Sequence, residues 1–305
     1  MPAPQKKIQK VDIHGWLVID KEAGKTSADI IRDLKRLLNP KKIGHAGTLD
    51  PLATGILPIA LGEATKTVSF IVDASKEYVF SVQWGEERTT DDTEGEVTET
   101  SPSRPSKSDI KKIMPEFIGE IEQTPPQFSA VKVDGQRAYK LARAGEKVEL
   151  KSRKVRIDSL EITENDTKKG QTAFHVACGK GTYIRALARD MGRKLGCFGH
   201  VTDIRRTRVG PFTQKDAFSL ASSGVLSHSA RALEALLPVM TALDDIPALA
   251  VTEDEARRIK NGQALRLPTS LSGTVRITSQ GNLIALAEVS EKQARPLRVF
   301  NLNQN

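Results

Sequence analysis

The sequence predicts an α+β protein: a large domain of strands and amphipathic helices, then a small β-rich piece. Residues 76–84 (KEYVFSVQW) alternate with the two-residue period of a strand, Tyr78, Phe80 and Val82 facing one way and Val79 and Ser81 the other. Ile30, Ile31, Leu34, Leu37 and Leu38 share one face of a helix, as do Ile184, Leu187, Ala188, Met191 and Leu195. From about Ala242 the texture changes to short strands near Val275, over 283–289 and over 297–300.

Taken in order, residues 1–10 are polar and basic and are expected to form a disordered tail; they lack the apolar stretch of a signal peptide. The apolar run 15–20 (GWLVID) reads as a buried strand. Ser27 is the expected N-cap of the first helix, which Asn39-Pro40 ends. Residues 86–108 are hydrophilic and rich in Thr, Ser, Pro and acid, a connector rather than core. A short helix near 109–114, a strand with a break over 155–162, a strand over 172–178 and the turn Gly179-Lys180-Gly181 lead to the second helix, which stops at Gly196. Thr252 caps a last short helix before Gly262. The expected division is 1–10 tail, 11–241 large domain and 242–305 small domain.

Lys and Arg outnumber Asp and Glu by 46 to 38, a net charge of +8 that favours a polyanionic partner such as RNA. Cys178 and Cys197 have no metal-ligand spacing and are expected to pack. No apolar run reaches the ~20 residues that span a bilayer, so a cytoplasmic protein without a membrane partner is expected.

The densest chemical signal is residues 44–55 (GHAGTLDPLATG), in which glycines and a proline bracket one acid, Asp50. Such a loop can hold a carboxylate beside a ligand, although Asp-Pro by itself most often just opens a turn. The segment resembles the central motif of the TruB-type tRNA pseudouridine synthases, the GTLDPxAxG loop. Further stretches are similar to the family pattern: Leu57-Pro58, residues 62–66 (GEATK), Glu77-Tyr78, residues 123–139 (QTPPQFSAVKVDGQRAY), residues 142–145 (ARAG) and residues 181–185 (GTYIR). The resemblance runs in order over about residues 12–210. It departs at Lys21-Glu22, where the family usually reads lysine-proline.

That resemblance implies the pseudouridine synthase fold, a mixed and mainly antiparallel sheet with helices and a central cleft, followed by a small PUA-like RNA-binding domain. It implies isomerisation of a tRNA uridine, uridine 55 of the T-loop, with Asp50 as catalytic nucleophile. The carboxylate could attack sugar or base or take a sugar proton. The reaction neither oxidises nor hydrolyses, so no cofactor or metal is expected. An ionised carboxylate in an apolar pocket needs a cation close by, and the family pattern assigns that place to Arg185. Tyr78 is expected to stack on the uracil and could help remove the C5 proton. Tyr183 and Ile204 line the pocket, Lys21 supports the loop, and His45 fills the space left by flipped bases. A uridine leaves the RNA stack at a cost of roughly a few kcal/mol, which backbone contacts must supply. Residues 132–156 hold nine basic side chains against three acidic ones. About 124–152 resembles the family's mobile thumb, with Lys132, Arg143, Lys151, Arg153 and Lys154 as RNA contacts. Arg205, Arg206 and Arg208 form a second basic cluster. The expected partner is the tRNA T-stem-loop, bound by a monomer.

Three other readings compete with this one. A phosphate-binding loop at Gly24-Lys25-Thr26 fails because the motif needs glycine where Ile19 stands. A glycoside hydrolase would pair Asp50 with an acid such as Glu77. A non-enzymatic RNA-binding protein would leave Asp50, Tyr78 and Arg185 idle.

Overall fold

A computed structural model describes residues 9–129, 131–133, 135–145, 149–220 and 225–302. Residues 1–8 of the expected tail lie outside that description, as do Lys147 and the side chains of Lys132 and Arg143.

The chain opens with β1 (Gly15–Lys21). α1 (Ser27–Leu38) is capped one residue earlier than expected: Thr26, not Ser27, is the N-cap, in a reciprocal pair with Asp29. The Ser27 hydroxyl is instead spent on the backbone of Leu49. β2 (Ile43–His45), β3 (Thr54–Leu61), α2 (Val68–Asp73) and β4 (Lys76–Trp84) follow. Next come the hairpin β5 (Glu86–Arg88) and β6 (Val97–Thr100), α3 (Lys107–Ile113) and β7 (Gly119–Gln123). The basic stretch contributes β8 (Lys132–Val133), β9 (Gln136–Arg137) and α4 (Ala138–Arg143). β10 (Arg153–Asp166), β11 (Gln171–Cys178), α5 (Ile184–Lys194), β12 (Gly199–Val209), β13 (Phe212–Thr213), β14 (Ala217–Phe218) and α6 (Val225–Glu234) complete the large part. The break foreseen in β10 is a pair of register shifts against β11.

Ten strands form one sheet in the order β14-β1-β3-β12-β4-β11-β10-β7, with β2 on β3 and β13 on β12. Only β1–β14 and β3–β12 run parallel, so the sheet is mixed and mainly antiparallel. In mid-sheet, β3 and β12 share just two pairs, Thr54 with Arg205 and Gly55 with Arg206. The site is built where they part.

β1 and β3 are buried on both faces, which is why they read as continuous apolar runs. Leu17, Ile19, Leu57 and Ile59 join the core under α1 and α5, whereas Trp16, Val18, Ile56 and Ala60 join a second core. That second core also takes Leu283, Leu286 and Phe300 from the C-terminal part.

The C-terminal part holds β15 (Ala248–Ala250), α7 (Glu253–Lys260), β16 (Leu265–Arg266), β17 (Gly273–Ser279), β18 (Asn282–Ser290) and β19 (Gln293–Val299), with its five strands in a separate sheet. Residues of the 62–66 motif dock it. Glu63 accepts from the Asn301 amide at 2.8 Å, and Lys66 donates to the Val299 carbonyl at 2.7 Å. Among the described residues no helix is long and apolar enough to cross a membrane. Both cysteines are free and buried.

Candidate active site

The loop between β2 and β3 cannot hold its shape through regular backbone pairing, so neighbours pin it. The Ser27 hydroxyl accepts from the Leu49 amide at 3.0 Å, and the Gly24 amide donates to the Pro51 carbonyl at 2.8 Å. Lys21, wholly buried, donates to the carbonyls of Glu22, Lys25 and Pro51 at 2.8, 2.7 and 3.2 Å. Burial pulls this ammonium down to about 8, with the nearby Asp50 charge opposing. Glu22, in place of the usual proline, thus leaves the lysine in reach of the loop. Arg206, 1% exposed, donates to the Ile56 carbonyl at 2.7 Å and the Gly47 carbonyl at 3.0 Å, one on each side of Asp50.

Arg185 enters from the first turn of α5. Its Nη2 lies 2.8 Å and its Nε 3.0 Å from Asp50 Oδ2. The same guanidinium donates to the Thr90 carbonyl at 2.7 Å and the Phe128 carbonyl at 3.0 Å, with Asp92 at 3.4 Å. With its donors committed to three segments, the arginine has one place to stand, and it is buried rather than a surface contact. Arg189 and Arg193 follow at helical spacing on α5. They bind Asp91 at 2.9 Å and Glu87 at 2.6 Å.

Residues 86–108 therefore are not a plain connector. They form a hairpin whose Glu87, Asp91 and Asp92 are buried against α5. Acids without apolar alternation read as solvated, and only their arginine partners, a hundred residues away, reverse that reading. Burial pushes the Asp91 carboxyl up to about 6, with Arg189 opposing.

Asp50 stands between two cavities. One, of about 320 Å³, is lined by Tyr78, Tyr183, Ile204, Lys76, Arg153 and Arg185 among others. The other, of about 490 Å³, is lined by His45, Leu52, Phe128 and Tyr139 among others. Burial raises the Tyr78 phenol and keeps it protonated. His45 is pulled down by burial, then by Arg206, which favours its neutral form. Tyr183 is clamped by Gln123, which accepts from its amide at 2.8 Å and donates to its carbonyl at 3.1 Å. The Arg153 guanidinium packs over the Tyr183 ring, 4.9 Å from its centroid. A cavity walled by Tyr78, Tyr183 and Ile204, with a carboxylate and a fixed guanidinium beside them, suits an inserted aromatic base.

Family models cover the chain nearly end to end. The N-terminal domain of the TruB family pseudouridylate synthases matches residues 35–184. The tRNA pseudouridylate synthase B C-terminal domain matches 185–244, and the C-terminal part of tRNA pseudouridine synthase II matches 246–301. The chain belongs to the TruB family of pseudouridylate synthases. It is 55% identical to tRNA pseudouridine synthase B of Rhodopseudomonas palustris over 96% of this chain and 82% of that one. With the Nitrobacter winogradskyi protein of the same name it shares 52%, over 98% and 86%. Among solved structures, a Cbf5-Nop10-Gar1 complex matches with a TM-score of 0.72 and 26% identity, over 94% of this chain and 84% of that one. The fold is that of the pseudouridine synthases, and the protein is an enzyme, an isomerase acting on RNA.

In this TruB-family chain the structure gathers Asp50, Arg185, Tyr78, Tyr183, Ile204 and Arg153 around one cavity, with Lys21 behind the loop and His45 on the neighbouring cavity. Lys151 and Lys154 lie outside it and exposed; Lys154 is held 2.8 Å from Glu120. The second basic cluster is not a free RNA surface. Arg205 is paired with Asp20 at 2.7 Å, Arg208 with Glu77 at 2.8 Å, and Arg206 is buried. Glu77 follows the opposite pleat to Tyr78 and is engaged by Arg208 and His175, which removes it as a glycosidase partner for Asp50. Arg206, expected in the second basic cluster, braces the loop instead, and Gln123 stands at the head of the 123–139 motif; Asp92 and Lys76 complete the site with no signal in the sequence.

Proposed function

We propose that the enzyme converts uridine 55 in the T-loop of tRNA to pseudouridine, with Asp50 as its catalytic nucleophile. The observation that carries this is the Asp50–Arg185 pair, at 2.8 Å, on the floor of a cavity walled by Tyr78, Tyr183 and Ile204. The curated relatives named tRNA pseudouridine synthase B support tRNA as the substrate.

In this reading the uridine leaves its stack and enters base-first, its uracil against Tyr78 and its ribose toward Asp50. The N1–C1′ bond breaks, the uracil rotates, and a C5–C1′ bond forms. The C5 proton is lost and N1 ends protonated, so product and substrate are isomers. Asp50 holds the ribose or base during the rotation, or takes a sugar proton, while Arg185 fixes its carboxylate. Nothing in this balance calls for a cofactor or metal. His45 occupies the space vacated by neighbouring flipped bases, and the thumb, about residues 124–152, closes on the T-stem. The C-terminal β domain adds PUA-like RNA contacts. The enzyme acts as a cytoplasmic monomer.

An unmodified tRNA transcript incubated with the enzyme tests the substrate. One pseudouridine, at position 55, is expected, and none in a transcript with cytidine there. Pseudouridine at another position, or its persistence at other uridines of the cytidine transcript, contradicts the assignment.

A further inference from the structure

The mouth of the Tyr78–Tyr183 cavity carries a lysine that the mechanism does not use. Lys180 sits at the tip of the Gly179-Lys180-Gly181 turn between β11 and α5 and lines the cavity. Its side chain is 65% exposed, against 4% for that of Arg185 at the floor. Its Nζ lies 3.1 Å from Oδ1 of Asp73, itself 57% exposed, the last residue of α2 and the chain neighbour of the cavity-lining Val72.

The other cations of this cavity are already committed. Arg153 covers the Tyr183 ring and donates to the Gly181 carbonyl. Lys76 is buried and donates to the carbonyls of Val72 and Ala74. Arg185 and Arg206 hold the Asp50 loop. Lys180 alone of these is tied by nothing stronger than a solvated ion pair, which contributes little and is readily exchanged.

A nucleotide inserted base-first keeps its phosphates outside, because the RNA strand must enter and leave through the mouth. A phosphate there meets Lys180 and also meets Asp73, an acid of the same sign. We propose that Lys180 is a phosphate-binding residue for the RNA substrate, exchanging Asp73 for a backbone phosphate next to the inserted uridine. Asp73 is the placeholder that holds the lysine until that exchange. The assignment rests on the proposed insertion of a uridine into this cavity.

The test pairs the full-length protein with a T-stem-loop RNA in which one phosphate flanking the target uridine, on either side in turn, is a neutral methylphosphonate. With the all-phosphate RNA, Lys180→Gln should raise KM about tenfold with little change in kcat, as loss of one charge-assisted hydrogen bond does. The slope of log affinity against log salt should fall by about one. One of the two methylphosphonates should cost wild type a similar factor and cost Lys180→Gln nothing further. Asp73→Asn, which removes the competing acid, should bind about threefold more tightly. Both residues are exposed, so urea midpoints should not move.

Wild-type KM and salt slope in Lys180→Gln, additive losses from the variant and both methylphosphonates, or weaker binding by Asp73→Asn would overturn the assignment while wild type turns over normally. Wild type that makes no pseudouridine in the all-phosphate stem-loop would overturn the substrate reading, and this assignment with it.

Discussion

The carbonyl oxygen of Arg206 lies where a side chain at residue 55 would begin: a Cβ on Gly55 would stand 2.2 Å from it. Gly55 also adopts φ 96°, a left-handed conformation that side chains resist. This close approach joins β3 to β12 and lets the Arg206 guanidinium reach the carbonyls of Gly47 and Ile56. Gly55→Ala should therefore cost roughly 3 kcal/mol or more. Gly44→Ala, whose Cβ meets nothing within 4 Å, should stay within about 0.5 kcal/mol of wild type. Urea denaturation of the two variants decides; equal midpoints would contradict the close-approach account.

Much of this arrangement was legible in the sequence where local pattern and burial agree. β4, α1 and α5 show their periods openly, and the loop around Asp50 carries its own punctuation. β3 (TGILPIAL) was missed because it is buried on both faces and offers no alternation, with Pro58 inside it. β12 (GHVTDIRRTRV) was missed because its arginines suggest an RNA surface. In the fold they are neutralised by Asp20 and Glu77 or buried beneath the Asp50 loop. The acids of the 86–92 segment were misread for the same reason. A charge's partner, rather than its type, decides whether it is core, and partners distant in sequence leave no periodic trace.

Arg189 and Asp91 form a buried pair at 2.9 Å, with Arg189 also donating to the Thr124 carbonyl at 2.8 Å. Arg189→Met strands a buried carboxylate and should destabilise by about 3–5 kcal/mol. Adding Asp91→Asn should recover part of that loss, because the two changes share one interaction. Hydrogen exchange should quicken first in the β5–β6 hairpin. A single variant as stable as wild type would show that the pair does not hold the hairpin.

Lys21 gives a pH signature with a definite sign. Burial lowers it from 10.5 to about 8. Below about pH 8 both folded and unfolded chains keep this proton, and the cost of burying the charge is present in full. Between about 8 and 10.5 the folded chain releases the proton first, so unfolding takes one up and this site's contribution to stability rises with pH. Lys21→Met lacks the rise. The stability of wild type relative to the variant should grow across that window, by at most about 1.4 kcal/mol per pH unit. A difference that stays constant from pH 7 to 10 would contradict the buried-ammonium account.

Neutralising Lys151, Arg153 and Lys154 together should weaken tRNA binding and flatten its salt dependence. Arg153 should contribute least when changed alone, since the Tyr183 ring and the Gly181 carbonyl already engage it. Fluorescence binding titrations over a range of salt concentrations measure both quantities. Unchanged affinity at every ionic strength would count against the thumb.

The most direct test of the central claim follows the C5 hydrogen of uridine. With tRNA carrying tritium at that position, wild type should release the label to water. Asp50→Asn, nearly identical in shape and still able to accept from Arg185, should bind the tRNA and release none. If Asp50→Asn released tritium at the wild-type rate, the catalytic role of Asp50 would be wrong.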